Sequence, residues 1–163
     1  MRFALALVLQ VFVFAGAALS AEPRVDLVRV DKSERRMELL AGGQVLRTYS
    51  IALGGNPEGH KRQEGDERTP EGRYVLDWRN PQSCCHRSIH VSYPNAADKA
   101  SAKAAGVDPG GMIMIHGQVN GYGWWSWLVQ MFDWTDGCIA VHDDEMDEIW
   151  TMVRDGTPIE ISP

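Results

Sequence analysis

The sequence predicts a single mostly-β domain carrying a few short helices. Three features lead there. Short apolar runs recur along the chain, separated by Gly, Pro and charged clusters, which is the spacing of strands and turns. Only three stretches have the composition of a helix. No repeat, low-complexity tract or long linker interrupts residues 21–163, so one core is expected.

Residues 1–20 stand apart from that domain. Arg2 supplies a positive start, Phe3 to Leu19 carries no charge, and Ala18-Leu19-Ser20 ends on small residues, the pattern of a cleaved export signal. The apolar run is short for a span, which needs roughly 20 residues. No cysteine stands at the cleavage point to take a lipid. The expected product is exported, starts near Ala21 and keeps no membrane span.

Val25 to Val30, Arg36 to Leu40 and Val45 to Leu53 read as strands, joined by Lys32-Ser33-Glu34 and by the hairpin signal Gly42-Gly43. Gly54 to Gly72 is rich in Gly, Pro and charge, and its length favours a functional loop over a simple turn. Arg73 to Trp78 and Ser88 to Tyr93 read as further strands. Ala96 to Ala105 has helical composition between a cap at Asn95 and Gly106. Met112 to Ile115 is a buried strand that delivers His116. Trp124 to Phe132 reads as an aromatic-rich helix, and Cys138 to Val141 as a short apolar strand. Asp143 to Val153 is an amphipathic helix whose first-turn acids suit the dipole. Thr157 to Ile161 is the closing strand.

Of 16 basic and 22 acidic residues only Arg2 lies in 1–20, leaving 15 and 22 and a net charge near −7. An acidic surface argues against nucleic acid or an anionic membrane face as partner. Three cysteines is an odd number for an oxidising compartment. Cys84 and Cys85 are adjacent, which leaves Cys138 as an isolated thiol.

Cys138 follows Gly137 in the polar turn Thr135-Asp136-Gly137, ahead of an apolar run. A free thiol with a pKa near ~8.5 is mostly protonated at neutral pH and needs a base to become a nucleophile. His116, ahead of Gly117, is the candidate base and later the proton donor to a leaving amine. Asp133 and Asp136 are candidates to orient its imidazole, and the amides of Gly137 and Cys138 to form an oxyanion hole. Arg68 and Arg73 are candidates to hold a substrate carboxylate. Trp124, Trp125, Trp127 and Trp134 form either a platform for an apolar or sugar-like ligand or a cap on the core. His90, on one face of its strand, is a further candidate. Cys84, Cys85, His86 and His90, with His116 or His142, raise a zinc site. They lack a C-x-x-C frame, and two histidines four apart on a strand lie about 13 Å from each other, too far to chelate together.

Several segments resemble the L,D-transpeptidase catalytic domain, or YkuD domain, across Val25 to Ile161. They are Val30-Asp31-Lys32-Ser33-Glu34-Arg35-Arg36-Met37-Glu38-Leu39, then Ile51-Ala52-Leu53-Gly54, then Arg68-Thr69-Pro70-Glu71-Gly72-Arg73-Tyr74. The decisive one is His116-Gly117 followed by Thr135-Asp136-Gly137-Cys138-Ile139. The family pattern is a histidine, a spacer, then Ser/Thr-His-Gly-Cys. Here the spacer is long and aromatic, Asp136 occupies the motif-histidine position, and Ala140 and Val141 replace a polar pair. These features resemble the short, exported, YafK-like members.

The resemblance implies a β-sandwich or barrel domain over residues 21–163, with Cys138 as nucleophile, His116 as base and Gly137 in the oxyanion turn. It implies acyl transfer on peptidoglycan stem peptides in the periplasm, with no metal and no organic cofactor. The acceptor would be a neighbouring stem amine, a lysine of a wall-anchored lipoprotein, or water. Substrate contacts are expected from Arg68, His90, Gly117, Trp124 and Thr135. The competing readings are an L,D-hydrolase with the same Cys/His pair and a non-catalytic wall-binding module.

Overall fold

The computed structural model describes residues 24–121 and 125–163. The export-signal expectation and Trp124 therefore lie outside the described residues. Eight strands form one sheet: β1 (Leu27–Asp31), β2 (Arg36–Ala41), β3 (Gln44–Ser50), β4 (Gly72–Asn80), β5 (Ser88–Val91), β6 (Met114–His116), β7 (Ile139–Ala140) and β8 (Thr157–Ser162). Three short helices accompany them: α1 (Ala96–Ala105), α2 (Ser126–Val129) and α3 (Asp143–Met152). The mostly-β expectation holds.

Alternation builds the sheet. In β1, Val28 and Val30 point into the core, and in β8 Thr157, Ile159 and Ile161 do the same. The strand order is β3-β2-β1-β8-β4-β5-β6-β7. β1 and β8 run parallel, and so do β6 and β7; the other neighbours are antiparallel. The sheet curls until its edges meet. Beyond β3 the chain continues as Ile51–Gly54, where Ala52 exchanges both backbone bonds with Ala140 of β7, at 2.9 and 2.8 Å. Thr135 then donates to the Leu53 carbonyl at 3.1 Å, and Gly55 donates to the Thr135 carbonyl at 3.0 Å. The strand predicted to run to Leu53 thus stops at Ser50 on one edge and resumes as bridges to the other.

α1 matches its predicted span. The Asn95 side chain accepts from Ala97 and Asp98, Asp98 returns a bond to the Asn95 amide, and Gly106 ends the helix at φ 70°. α3 buries Met146 and Ile149 under the sheet. α2 is one turn, shorter than the predicted Trp124 to Phe132, because its apolar side chains find little core. Trp127, Met131 and Phe132 are all exposed. The strand predicted at Met112 to Ile115 begins two residues later. Met112 has φ 56°, which breaks the extended run, and His116 becomes the last residue of β6.

The Gly54–Gly72 segment folds back and is pinned by buried lysines. Lys32 Nζ donates to the carbonyls of Gly59 (2.7 Å) and Thr69 (3.1 Å) and to Glu71 Oε1 (2.7 Å). Lys61 pairs with Asp66 at 2.8 Å. A buried charge persists only with such partners.

Candidate active site

Strand register brings Cys138 and His116 together. His116 lies opposite Ala140 and Ile115 opposite Ile139 in the parallel pair, so Cys138, one residue before β7, stands opposite Met114. His116 and Cys138 therefore share a sheet face, two residues apart on adjacent strands. Strand spacing and rise put their Cα atoms about 8 Å apart, within reach of an imidazole and a thiol. This is the outer face, since the alternating Ile89, Ile115 and Ile139 fill the core.

The turn before Cys138 is held from both sides. Thr135 Oγ1 accepts the Gly137 amide at 3.2 Å and donates to the Cys138 carbonyl at 2.8 Å. Gly137 has φ 112°, and a Cβ there would lie 2.5 Å from the Arg68 carbonyl oxygen, so only glycine fits. Because the Gly137 amide already donates to Thr135, the Cys138 amide is the less committed donor of the turn. Asp136 is exposed at its tip.

The Cys138 thiol donates to the Met112 carbonyl at 3.7 Å. Burial pushes its pKa up, opposed by the Met114 amide; the charges of Asp136 and Cys84 add to the rise and Lys61 counters them. The resting thiol is therefore held protonated. His116 is buried, and burial pulls its pKa down, opposed by its bond to the Gly117 carbonyl. That bond runs from Nδ1 at 2.6 Å. A carbonyl only accepts, so Nδ1 carries the hydrogen and Nε2 is left with the lone pair. The ring packs edge-on against Trp134, with centroids 5.6 Å apart. A neutral imidazole beside a protonated thiol is a proton acceptor beside a latent nucleophile.

The two carboxylates expected near the imidazole are placed differently. Asp133 is gripped by Arg35, at 3.1 and 2.7 Å, and accepts the Leu53 amide at 2.9 Å. Asp136 bears on the thiol. The bond that orients His116 comes instead from backbone.

Arg68 lies beside the turn before Cys138 through its carbonyl, and its Nε is buried without a hydrogen-bond partner among the described residues. Trp134 Nε1 is in the same condition. A cavity of about 260 Å³ lies beside Trp134, lined also by Gln118, Val119, Ser126 and Val129. Gly117 follows His116 directly. His90 shares the outer face, opposite Met114, about 10 Å from Cys138 by strand spacing. It is bonded to Asp77 at 2.7 Å and stacked on Trp78 at 4.8 Å. Arg73 pairs with Glu160 between β4 and β8, away from the thiol. Trp125 and Trp127 are exposed. The Cys84 and Cys85 sulfurs are 3.1 Å apart and all three cysteines are free. Among the described residues no group of three or more His, Cys, Asp or Glu is arranged to hold a metal. No helix among them is long and apolar enough to cross a membrane.

The sequence did not point to Gln118. Its side chain is buried and donates to the Ser126 carbonyl at 2.8 Å and to His142 Nδ1 at 3.1 Å, fixing the start of the aromatic insert. Nor did it point to the backbone acceptors at Gly117 and Met112.

Known proteins resemble this chain in sequence and fold. A relative from Escherichia coli (strain K12), named "Putative L,D-transpeptidase YafK", is 29% identical over 133 residues, covering 77% of this chain and 46% of its own. The chain thus spans about half the length of the curated relatives it matches. The helical cell shape determining protein Pgp2 from Campylobacter jejuni superposes with TM-score 0.65 at 24% identity, covering 86% of this chain and 48% of that one. Bd1075 from Bdellovibrio bacteriovorus gives 0.61 at 25% identity, with coverages of 86% and 48%. Residues 26–161 match the YkuD L,D-transpeptidase catalytic domain, and the chain belongs to that family.

Proposed function

We propose that this domain is a cysteine acyltransferase acting on peptidoglycan stem peptides in the periplasm, after export directed by residues 1–20. The observation that carries the reading is the register that sets Cys138 beside His116, with the imidazole fixed as a proton acceptor at Nε2. Cys138 gives its proton to His116 and attacks the carbonyl of an L-centre in the stem. The tetrahedral oxyanion forms beside the Cys138 amide and, when Thr135 yields it, the Gly137 amide. Collapse returns the proton from His116 to the departing D-amino acid and leaves a thioester. An amine then attacks that thioester and releases the cysteine. Its source is a neighbouring stem or a lipoprotein lysine.

Arg68 and Trp134 support substrate contact near the turn. A buried donor without a partner costs about 1–3 kcal/mol, which a substrate carbonyl or carboxylate would offset. No metal or organic cofactor is required for these steps. The test is mass spectrometry of a purified tetrapeptide muropeptide incubated with the mature protein or with Cys138→Ala. A cross-linked dimer lacking one D-alanine, absent with the variant, is the expected product. Tripeptide alone would make water the acceptor and the protein a hydrolase. No product would overturn the assignment and favour a wall-binding module, whereas the same product from the variant would overturn Cys138 as the nucleophile.

A further inference from the structure

We propose that Asp143 is a positioning residue for His116, acting through the peptide group that joins Gly117 to Gln118. This rests on reading His116 as the base. One peptide is held from both ends. Oδ1 of Asp143 accepts the Gln118 N–H at 2.7 Å, and the Gly117 carbonyl accepts the His116 Nδ1–H at 2.6 Å. Nitrogen and carbonyl of a peptide are conjugated, so a carboxylate on the N–H shifts electron density to the oxygen. Chained hydrogen bonds of this kind strengthen one another. The chain of contacts reproduces, through a peptide, what a carboxylate does when it holds a catalytic imidazole directly.

The packing is close enough to be specific. A Cβ on Gly117 would stand 2.5 Å from Asp143 Oδ1 and 2.8 Å from His86 Cβ, so a side chain at 117 would displace the carboxylate. Asp143 is the first residue of α3, where the helix dipole favours an anion. The neighbouring Gln118 side chain is fastened to Ser126 and His142. The peptide therefore has little freedom to turn its carbonyl away from the imidazole.

Other charged and titratable groups surround the relay. The segment before β5 contributes Cys85, His86 and Arg87; the Arg87 carbonyl accepts the Gly117 amide at 3.2 Å, and His86 is bonded to Asp147 at 2.7 Å. α3 and its cap contribute His142, Asp144 and Glu145, and the turn before β7 contributes Asp136 and Cys138. Asp143 is the carboxylate bonded to the 117–118 peptide. As His116 takes up a proton, positive charge spreads over the ring. The polarised carbonyl stabilises that charge and opposes the burial that disfavours it.

Two readouts test this in the full-length mature protein: iodoacetamide alkylation of Cys138 across pH, and NMR titration of ¹⁵N-labelled histidines. The His116 signal is identified by its loss in His116→Ala. Alkylation at pH 7 is expected to be about tenfold slower in Asp143→Ala, equivalent to one pKa unit. Asp143→Asn keeps an oxygen acceptor and loses the charge, so about threefold is expected, with the fold intact. In both, the His116 titration moves to lower pH, which a purely structural role for Asp143 would not produce. If His116→Ala slows alkylation while both Asp143 variants titrate and react like the parent, the relay is refuted and the base assignment stands. If His116→Ala itself reacts like the parent, both fall.

Discussion

Replacing Gly137 with alanine tests the geometry of the turn before Cys138 most directly. The residue sits at φ 112°, where an L side chain costs of order 1–3 kcal/mol. The added Cβ would also approach the Arg68 carbonyl oxygen to 2.5 Å and the Ile113 Cδ1 to 3.3 Å. The first neighbour is backbone and cannot swing aside, so overpacking adds about 1–3 kcal/mol. The sum is about 4 kcal/mol, which at about 3 °C per kcal/mol lowers Tm by roughly 12 °C. Gly43 is the control, since it has φ 78° but nothing within 4 Å of its would-be Cβ. Gly43→Ala should cost only the left-handed conformation, about 1–2 kcal/mol and roughly 3–6 °C. Thermal unfolding by circular dichroism and the alkylation rate of Cys138 are measured on both. The Gly137 variant should lose stability and thiol reactivity together, the Gly43 variant a little stability alone. Equal losses in the two proteins, or a parental thiol in Gly137→Ala, would refute the argument that Arg68 fixes this turn.

Three further outcomes are expected. Burial keeps the folded-state pKa of His116 below the ordinary 6.5, so the unfolded chain binds a proton that the folded one resists. Stability should therefore fall as pH drops below about 6.5 until the folded pKa is reached, and His116→Gln should flatten that slope in urea titrations. Lys32→Met strands Glu71 and two carbonyls, and should cost about 3–5 kcal/mol in urea unfolding; a loss under 1 kcal/mol would mean Lys32 does not hold the loop. The Cys85 thiol is buried and pushed up to about 12, first by burial and then by Cys84. Peptide mapping after brief alkylation at pH 8 should find Cys85 unlabelled while Cys84 reacts, and the reverse order would contradict the burial described.

Much of this layout was readable in the sequence because it depends on local pattern. Short apolar runs between turn signals located β1, β2, β4 and β8, and the Asn95 and Gly106 caps bounded α1 to the residue. His116 and Cys138 stood out because two chemically distinctive side chains each end or begin an apolar run, and the register sets those runs on adjacent strands. What was not readable depends on partners distant in sequence or lacking side chains. A carboxylate was expected on the imidazole, yet the acceptor is the Gly117 carbonyl, and backbone leaves no compositional trace. Asp133 answers to Arg35, 98 residues away. Lys32 stood only in the turn Lys32-Ser33-Glu34, and the fold-back of Gly54–Gly72 is what gives it three acceptors. The aromatic insert suggested a longer helix, but an insert that packs on little core keeps only one turn.

The place of β8 has a consequence for how the chain acquires its structure. β1 to β3 form one antiparallel unit and β4 to β7 the rest of the sheet, and β8 lies between β1 and β4. The strand that completes the sheet is thus also the last of the eight in chain order. Until Thr157–Ser162 is available, the N-terminal hairpins and the strands bearing His116 and Cys138 have no shared ladder through the centre. Pairings this distant in sequence are slow to form, since loop closure precedes any contact energy. Folding should therefore be a late, cooperative event of this domain, and removal of β8 should leave two half-sheets joined only by the edge bridges at Ala52 and Thr135.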